Sequence, residues 1–155
     1  MIYKQLIDAV VCVIPSTRNN RLFSYEILNN IELIRQGAGS RYYPVDLNEV
    51  ISIINSKKNE MRIAIKSLPC ILKGLRRAMR IMPCLRQRVL YTVGLVCGHL
   101  PNRYYTEYLA CISGIKPNYL KTALYRIKSN TTRAGNFGFV DIDKNGIKGN
   151  IFYLE

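Results

Sequence analysis

Gly114 is the residue that most narrows what this chain can fold into. It ends an apolar-periodic run that opens at Thr106 and carries Glu107, Leu109, Ala110 and Ile112, and glycine is the usual helix stop. Ile115 plugs the turn. Pro117, a residue suited to a first helical turn, opens a further run to Lys128 in which Leu120, Ala123, Leu124 and Ile127 gather on one side at 100° per residue. A Gly-rich stretch leads to Phe139-Val140-Asp141-Ile142. Turn residues follow at Asp143-Lys144-Asn145-Gly146, then a closing run Ile151-Phe152-Tyr153-Leu154. Helix, tight turn, helix and two-stranded ribbon is the order of a winged helix-turn-helix.

Charge points the same way. The 155 residues carry a net charge of +13. Residues 73–133 hold twelve Lys or Arg against one acid, Glu107. A field concentrated like this suits a polyanion. The longest uncharged run, Val89 to Asn102, has fourteen residues, too few to span a bilayer. Asp8 and the lack of a small-residue cleavage site argue against a signal peptide at Ala9–Ile14. The expected location is therefore cytoplasmic, associated with the nucleoid. The five cysteines lie far apart with no Cys-x-x-Cys pair, which reads as small apolar core residues in a reducing compartment.

Upstream, residues 3–14 read as a helix, and a second runs from a Ser24 cap to Arg35 with Gly37 as its stop. Arg41-Tyr42-Tyr43 reads as a short β piece. Asp46 and Glu49 form a capping box for a helix to about Asn55, and Ser56 caps another up to Pro69. This last segment aligns with residues 118–127 at an offset of 59, which suggests a duplicated helix-turn-helix. Between the units, Leu72, Leu75, Met79 and Met82 share one helical face, and Lys73, Arg76, Arg77 and Arg80 the other. The apolar stripe faces a core; the basic face is solvated, rides on phosphates or lies on a membrane surface. Arg86 to Leu100 is expected to be the next helix.

The division that results is an N-terminal helical unit over 1–69, a basic connecting helix over 70–83 and a winged helix-turn-helix over 84–155. The fold class is mainly α with a small β-hairpin. On the helix from Pro117, Asn118, Thr122, Tyr125 and Arg126 face outward and would read bases in a major groove. Lys116, Lys121, Lys128, Arg133, Lys144 and Lys148 would hold phosphates. Catalysis finds little support: His99 is the single histidine, and one His beside Cys97 makes neither a metal site nor a nucleophile–base pair. No catalytic residue, metal ligand or cofactor is expected.

Leu90-Tyr91, Asn102-Arg103-Tyr104 and the helix ending near Leu124 and Ile127 resemble small bacterial winged-helix regulators of the CaiF/GrlA type. That family carries tryptophan where Tyr104 and Cys97 stand here. The resemblance covers the C-terminal half and implies promoter-specific DNA binding by a transcriptional activator. The expected function is thus a non-enzymatic, sequence-specific regulator, with double-stranded DNA as partner, joined by RNA polymerase or a second copy. The alternatives are a plasmid or phage replication initiator with tandem winged helices, and a basic protein-interaction module.

Overall fold

The computed structural model describes residues 2, 4–16, 21–56, 60–127, 137–149 and 152–154, without the side chains of Gln36, Phe137 and Phe152–Leu154. The architecture is mixed α/β, which corrects the mainly helical expectation. Two compact units divide the chain. The first comprises Met1–Ile14, Ser24–Ala38 and Val45–Gly98; the second comprises Pro15–Phe23, Gly39–Pro44 and His99–Glu155. The sequence-based boundaries after residues 69 and 83 both fall inside the first unit.

The first unit is built on a four-stranded sheet in the order β2-β1-β3-β4. Its strands are β1 (Ala9–Pro15), β2 (Phe23–Leu28), β3 (Ile63–Ser67) and β4 (Val89–Gly94). β1 runs parallel to β3, with Ala9 opposite Ile63, and β3 runs parallel to β4, with Ser67 opposite Gly94. Among the described residues, β1 and β3 stand where helices are expected at 3–14 and 57–68, and the helix expected at 24–35 forms only from Ile31, after β2. The physical reason is burial. Ala9, Val11 and Cys12, and Ile63, Ala64 and Ile65, are all buried. Parallel strands covered on both faces read as unbroken apolar runs, which spacing alone does not separate from helix. Ser67 is buried as well.

Helices α1 (Ile31–Gln36) and α2 (Asn48–Asn55) lie between β2 and β3. The Asn30 side chain accepts from the Glu32 amide and caps α1. Asp46 Oδ1 accepts from the Asn48 amide at 3.1 Å at the entry to α2. Between β3 and β4 run α3 (Pro69–Ile81) and α4 (Pro83–Arg88), each opened by a proline. Leu72 and Leu75 of α3 join Val11, Ile54, Ile65 and Leu85 in the core, with Met79 and Met82 against them. Truncating either leucine to alanine should cost about 2–5 kcal/mol. The helix expected over residues 86–100 instead ends at Arg88 and becomes β4.

In the second unit, α5 (Arg103–Ser113) ends at Gly114, whose φ of +94° is the left-handed cap. Ile115 is buried with Ala110 and Leu120. The expected recognition helix is absent. Pro117–Tyr119 makes one 3-10 turn, and Leu120–Ile127 is a strand, β5. β5 pairs antiparallel with β6 (Phe137–Asp143), which pairs with β7 (Phe152–Leu154). The turn after β6 forms as its residues dictate: Asp143 Oδ1 accepts the amides of Asn145 and Ile147, and Gly146 takes φ +83°. A three-stranded sheet behind one helix thus replaces the winged helix-turn-helix, and no duplicated motif is present among the described residues.

Candidate functional site

The clearest candidate lies in the first unit, where α3 crosses the face of β4. Pro69 follows the carboxyl end of β3 almost directly, and Gly94 closes β4 opposite Ser67. The carboxyl ends of parallel strands are where open α/β sheets bind ligands. Here Pro69, Leu72, Lys73, Arg76, Arg77, Arg80 and Gly94 line an open groove of about 580 Å³. A second hollow of about 380 Å³ adjoins it, lined by Arg76, Met79, Arg80, Arg86, Val89, Leu90 and Thr92. The two share Arg76 and Arg80.

The groove is basic because α3 is amphipathic: Leu72 and Leu75 face the core, so the cations one turn apart face out. Arg76 Nη2 donates to Thr92 Oγ1 at 3.2 Å and so bridges helix and strand. Arg88 is committed elsewhere, donating to the carbonyls of Ile54 and Ser56. No acidic residue stands between Glu60 and Glu107 in the sequence. Among the described residues, the salt bridges join Arg35 to Glu32, Arg62 to Asp8 and Arg103 to Glu107; none involves α3. Unneutralised guanidinium groups beside an apolar floor can hold phosphate or carboxylate. Among the described residues, no group of three His, Cys, Asp or Glu is placed to hold a metal ion.

The residues expected to read bases do not come together as a reading face. Asn118 is exposed on the 3-10 turn and Arg126 is exposed on β5, where its φ is +60°. The side-chain oxygen of Thr122 is buried without a hydrogen-bond partner. Tyr125 is buried, its hydroxyl 2.6 Å from Thr106 Oγ1, and its ring packs on Tyr42 and Phe139. Burial raises its pKa. Lys116, Lys121, Lys144 and Lys148 are exposed on separate turns and strands; Lys128 and Arg133 lie outside the described residues. His99 and Cys97 are exposed.

What sequence reasoning missed is the strand that completes the groove. Lys73, Arg76, Arg77 and Arg80 stood out as one helical face. Leu90, Thr92 and Gly94 were hidden inside an expected helix. The signal that could have found them is the β-rich Val89-Leu90-Tyr91-Thr92-Val93 between Arg88 and Gly94.

Residues 60–147 match the family described as the C terminus of the coenzyme F420 hydrogenase/dehydrogenase beta subunit. Residues 1–52 match the family described as the N terminus of the same protein. Comparison with curated proteins finds no match. Among solved structures, the fold is similar to a chain of the F420-reducing [NiFe] hydrogenase complex from Methanosarcina barkeri, studied by xenon derivatization. The TM-score is 0.66 at 15% identity, over 99% of this chain and 50% of that one, so this chain spans half the length of its structural relative.

These matches overturn the resemblance to winged-helix regulators of the CaiF/GrlA type. With it go the transcriptional activator, the replication initiator and the free-standing basic interaction module, along with double-stranded DNA, RNA polymerase and a homodimer as expected partners. The expectation of a non-enzymatic protein is corrected too, because the matching family consists of hydrogenase and dehydrogenase subunits. No helix among the described residues is long and apolar enough to cross a membrane. The chain belongs to the coenzyme F420 hydrogenase/dehydrogenase beta-subunit family.

Proposed function

We propose that this chain is an electron-transfer subunit of an F420-dependent redox complex, and that the groove beside α3 holds the anionic part of the coenzyme. One observation carries the second half of this reading: four cations of α3 line a groove at the carboxyl ends of parallel strands. Coenzyme F420, an anionic deazaflavin, supplies hydride chemistry when bound. The chain's own contribution is binding and orientation. Lys73 and Arg77 hold anionic groups, Arg76 and Arg80 add positive charge where the groove meets the adjoining hollow, and Pro69 and Leu72 give an apolar surface. Residence in the cytoplasm is part of the same reading, supported by five free thiols.

Calorimetric titration of the purified chain with coenzyme F420 tests it. Binding is expected. The Lys73→Glu/Arg77→Glu double variant should bind about a hundredfold more weakly or worse, since each charged hydrogen bond contributes about 1.5–3 kcal/mol. A wild-type chain that does not bind F420, or a double variant that binds it equally well, would remove the assignment.

A further inference from the structure

Strand β4 is an edge strand without the usual protection. It ends the sheet order, and natural edges are normally blunted by Lys, Pro, a bulge or a covering element. β4 carries no charge and no proline; its one irregularity lies at its start, opposite Ile63 and Ala64. Leu90 is 46% exposed, Tyr91 40% and Val93 48%. The Leu95 amide donates to Ser67 O at 3.0 Å. Strand alternation then turns Tyr91 and Val93 toward β3 in their backbone bonding, and leaves the N–H and C=O of Thr92 and Gly94 directed to the open edge.

We infer that this edge receives a β-strand from another polypeptide, one whose residues alternate acidic and apolar. The inference rests on the reading of the chain as a subunit of a complex. Its chemistry follows from the two faces of β4. Leu90, Thr92 and Gly94 share the α3 face, where Arg76, Arg80 and Arg86 stand. Tyr91 and Val93 lie on the opposite face. An added strand places alternate side chains on each face. Those on the α3 face meet three guanidinium groups and complement them as carboxylates. Those on the other face meet a phenol ring and a valine and complement them as apolar groups. A second copy of this chain is the poorer occupant, because edge-to-edge pairing brings the same arginines of two copies together, and like charges repel. The incoming strand and the coenzyme use different ends of the groove: Arg86 belongs to the former, Lys73 and Arg77 to the latter.

The test uses the full chain and a blocked eight-residue peptide alternating glutamate and valine, with a lysine–valine peptide as control. The acidic peptide should bind and slow amide exchange at Thr92 and Gly94; the basic peptide should do neither. Arg86→Glu should weaken binding about tenfold or more, as loss of a charged contact does. Thr92→Pro removes an outward N–H and spares the bonds to β3, so it should abolish binding. If that variant does not fold, Arg86→Glu and the exchange pattern decide. The Lys73→Glu/Arg77→Glu variant should lose F420 and keep the peptide, so failure of the coenzyme assignment and failure of this one are separable. Absence of acidic-peptide binding, binding without protection of Thr92 and Gly94, or a concentration-dependent dimer that protects those amides would each overturn the proposal.

Discussion

Two aspartates show how single residues tune this chain in opposite directions. Asp141 on β6 is fully buried. The Ser113 hydroxyl lies 2.8 Å from Ala110 O and 2.6 Å from Asp141 Oδ2. A hydroxyl has one proton. If it goes to the carbonyl, the contact to Asp141 is made by a carboxylic acid that donates. Oδ1 has no partner, and burial raises the Asp141 pKa, in agreement. A raised folded pKa gives stability that is complete below the ordinary aspartate value and lost as pH rises through the folded value. Asp141→Asn, which keeps a donor and never ionises, should therefore melt higher than the wild type near neutral pH and lose that advantage in acid. Melting curves from about pH 4 to 8 check this. Beside it, a Cβ on Gly149 would stand 2.1 Å from Asp141 Oδ1, so Gly149→Ala should cost about 1–3 kcal/mol by overpacking. Asp8 is the reverse case. Arg62 grips it through Nη2 at 2.8 Å, Nε at 3.1 Å and its backbone amide at 2.8 Å. The side-chain hydrogen bond to Arg62, more than any other cause, holds its pKa down to about 2. Its contribution is present above pH 3.8 and lost as pH falls toward 2. Asp8→Asn should remove that acid-side dependence from the melting curve.

At the scale of elements, β5 explains why a strand read as a helix. Leu120, Ala123 and Tyr125 are buried, and Lys121, Leu124 and Arg126 are exposed. A regular strand buries every second residue. Here the register shifts between Leu120 and Thr122 and again between Leu124 and Ile127, and each extra residue stretches the spacing. Leu120 and Ala123 then sit three apart, as they would on a helix. The tertiary structure places Leu124 on the outside, where helical phase had put it in the core. Leu120→Ala should cost about 2–4 kcal/mol, and Leu124→Ala less than about 1 kcal/mol. Urea denaturation of the two variants measures the difference, and equal losses would contradict the strand. Elements with their own punctuation were legible: α3 between Pro69 and Pro83, the left-handed stop at Gly114, and the turn from Asp143 to Gly146. Those whose identity depends on distant partners were not. β1 and β3 are strands because they pair with their neighbours, and that pairing leaves no mark in either segment; only β4 carries a β-rich composition of its own.

For the molecule as a whole, the charge distribution points to an anionic ligand without giving its form. The basic excess of residues 73–133 is a property of the sequence, and an anionic partner follows from it on electrostatic grounds. Whether the anion is a long polymer or a small coenzyme depends on where the cations sit. On a continuous outer helix face they would track a backbone. The four cations of α3, with Arg86, line an open groove at a sheet edge instead. Part of the candidate site was thus readable as Lys73, Arg76, Arg77 and Arg80, and the rest, Leu90, Thr92 and Gly94, required the fold. The two forms of anion differ in salt response. A polymer releases one counterion for nearly every phosphate neutralised, so affinity drops by powers of ten over a modest change in salt. A small anion in a groove loses only screened Coulomb attraction, over a Debye length of about 10 Å at 0.1 M. F420 binding should therefore weaken only a few-fold between about 50 and 200 mM salt, where a duplex held by six phosphates would lose about 10³. Titrations at three salt concentrations measure the slope. A steep fall would mean that the cations act as an extended polyanion track, and that the groove beside α3 is not where the coenzyme is held.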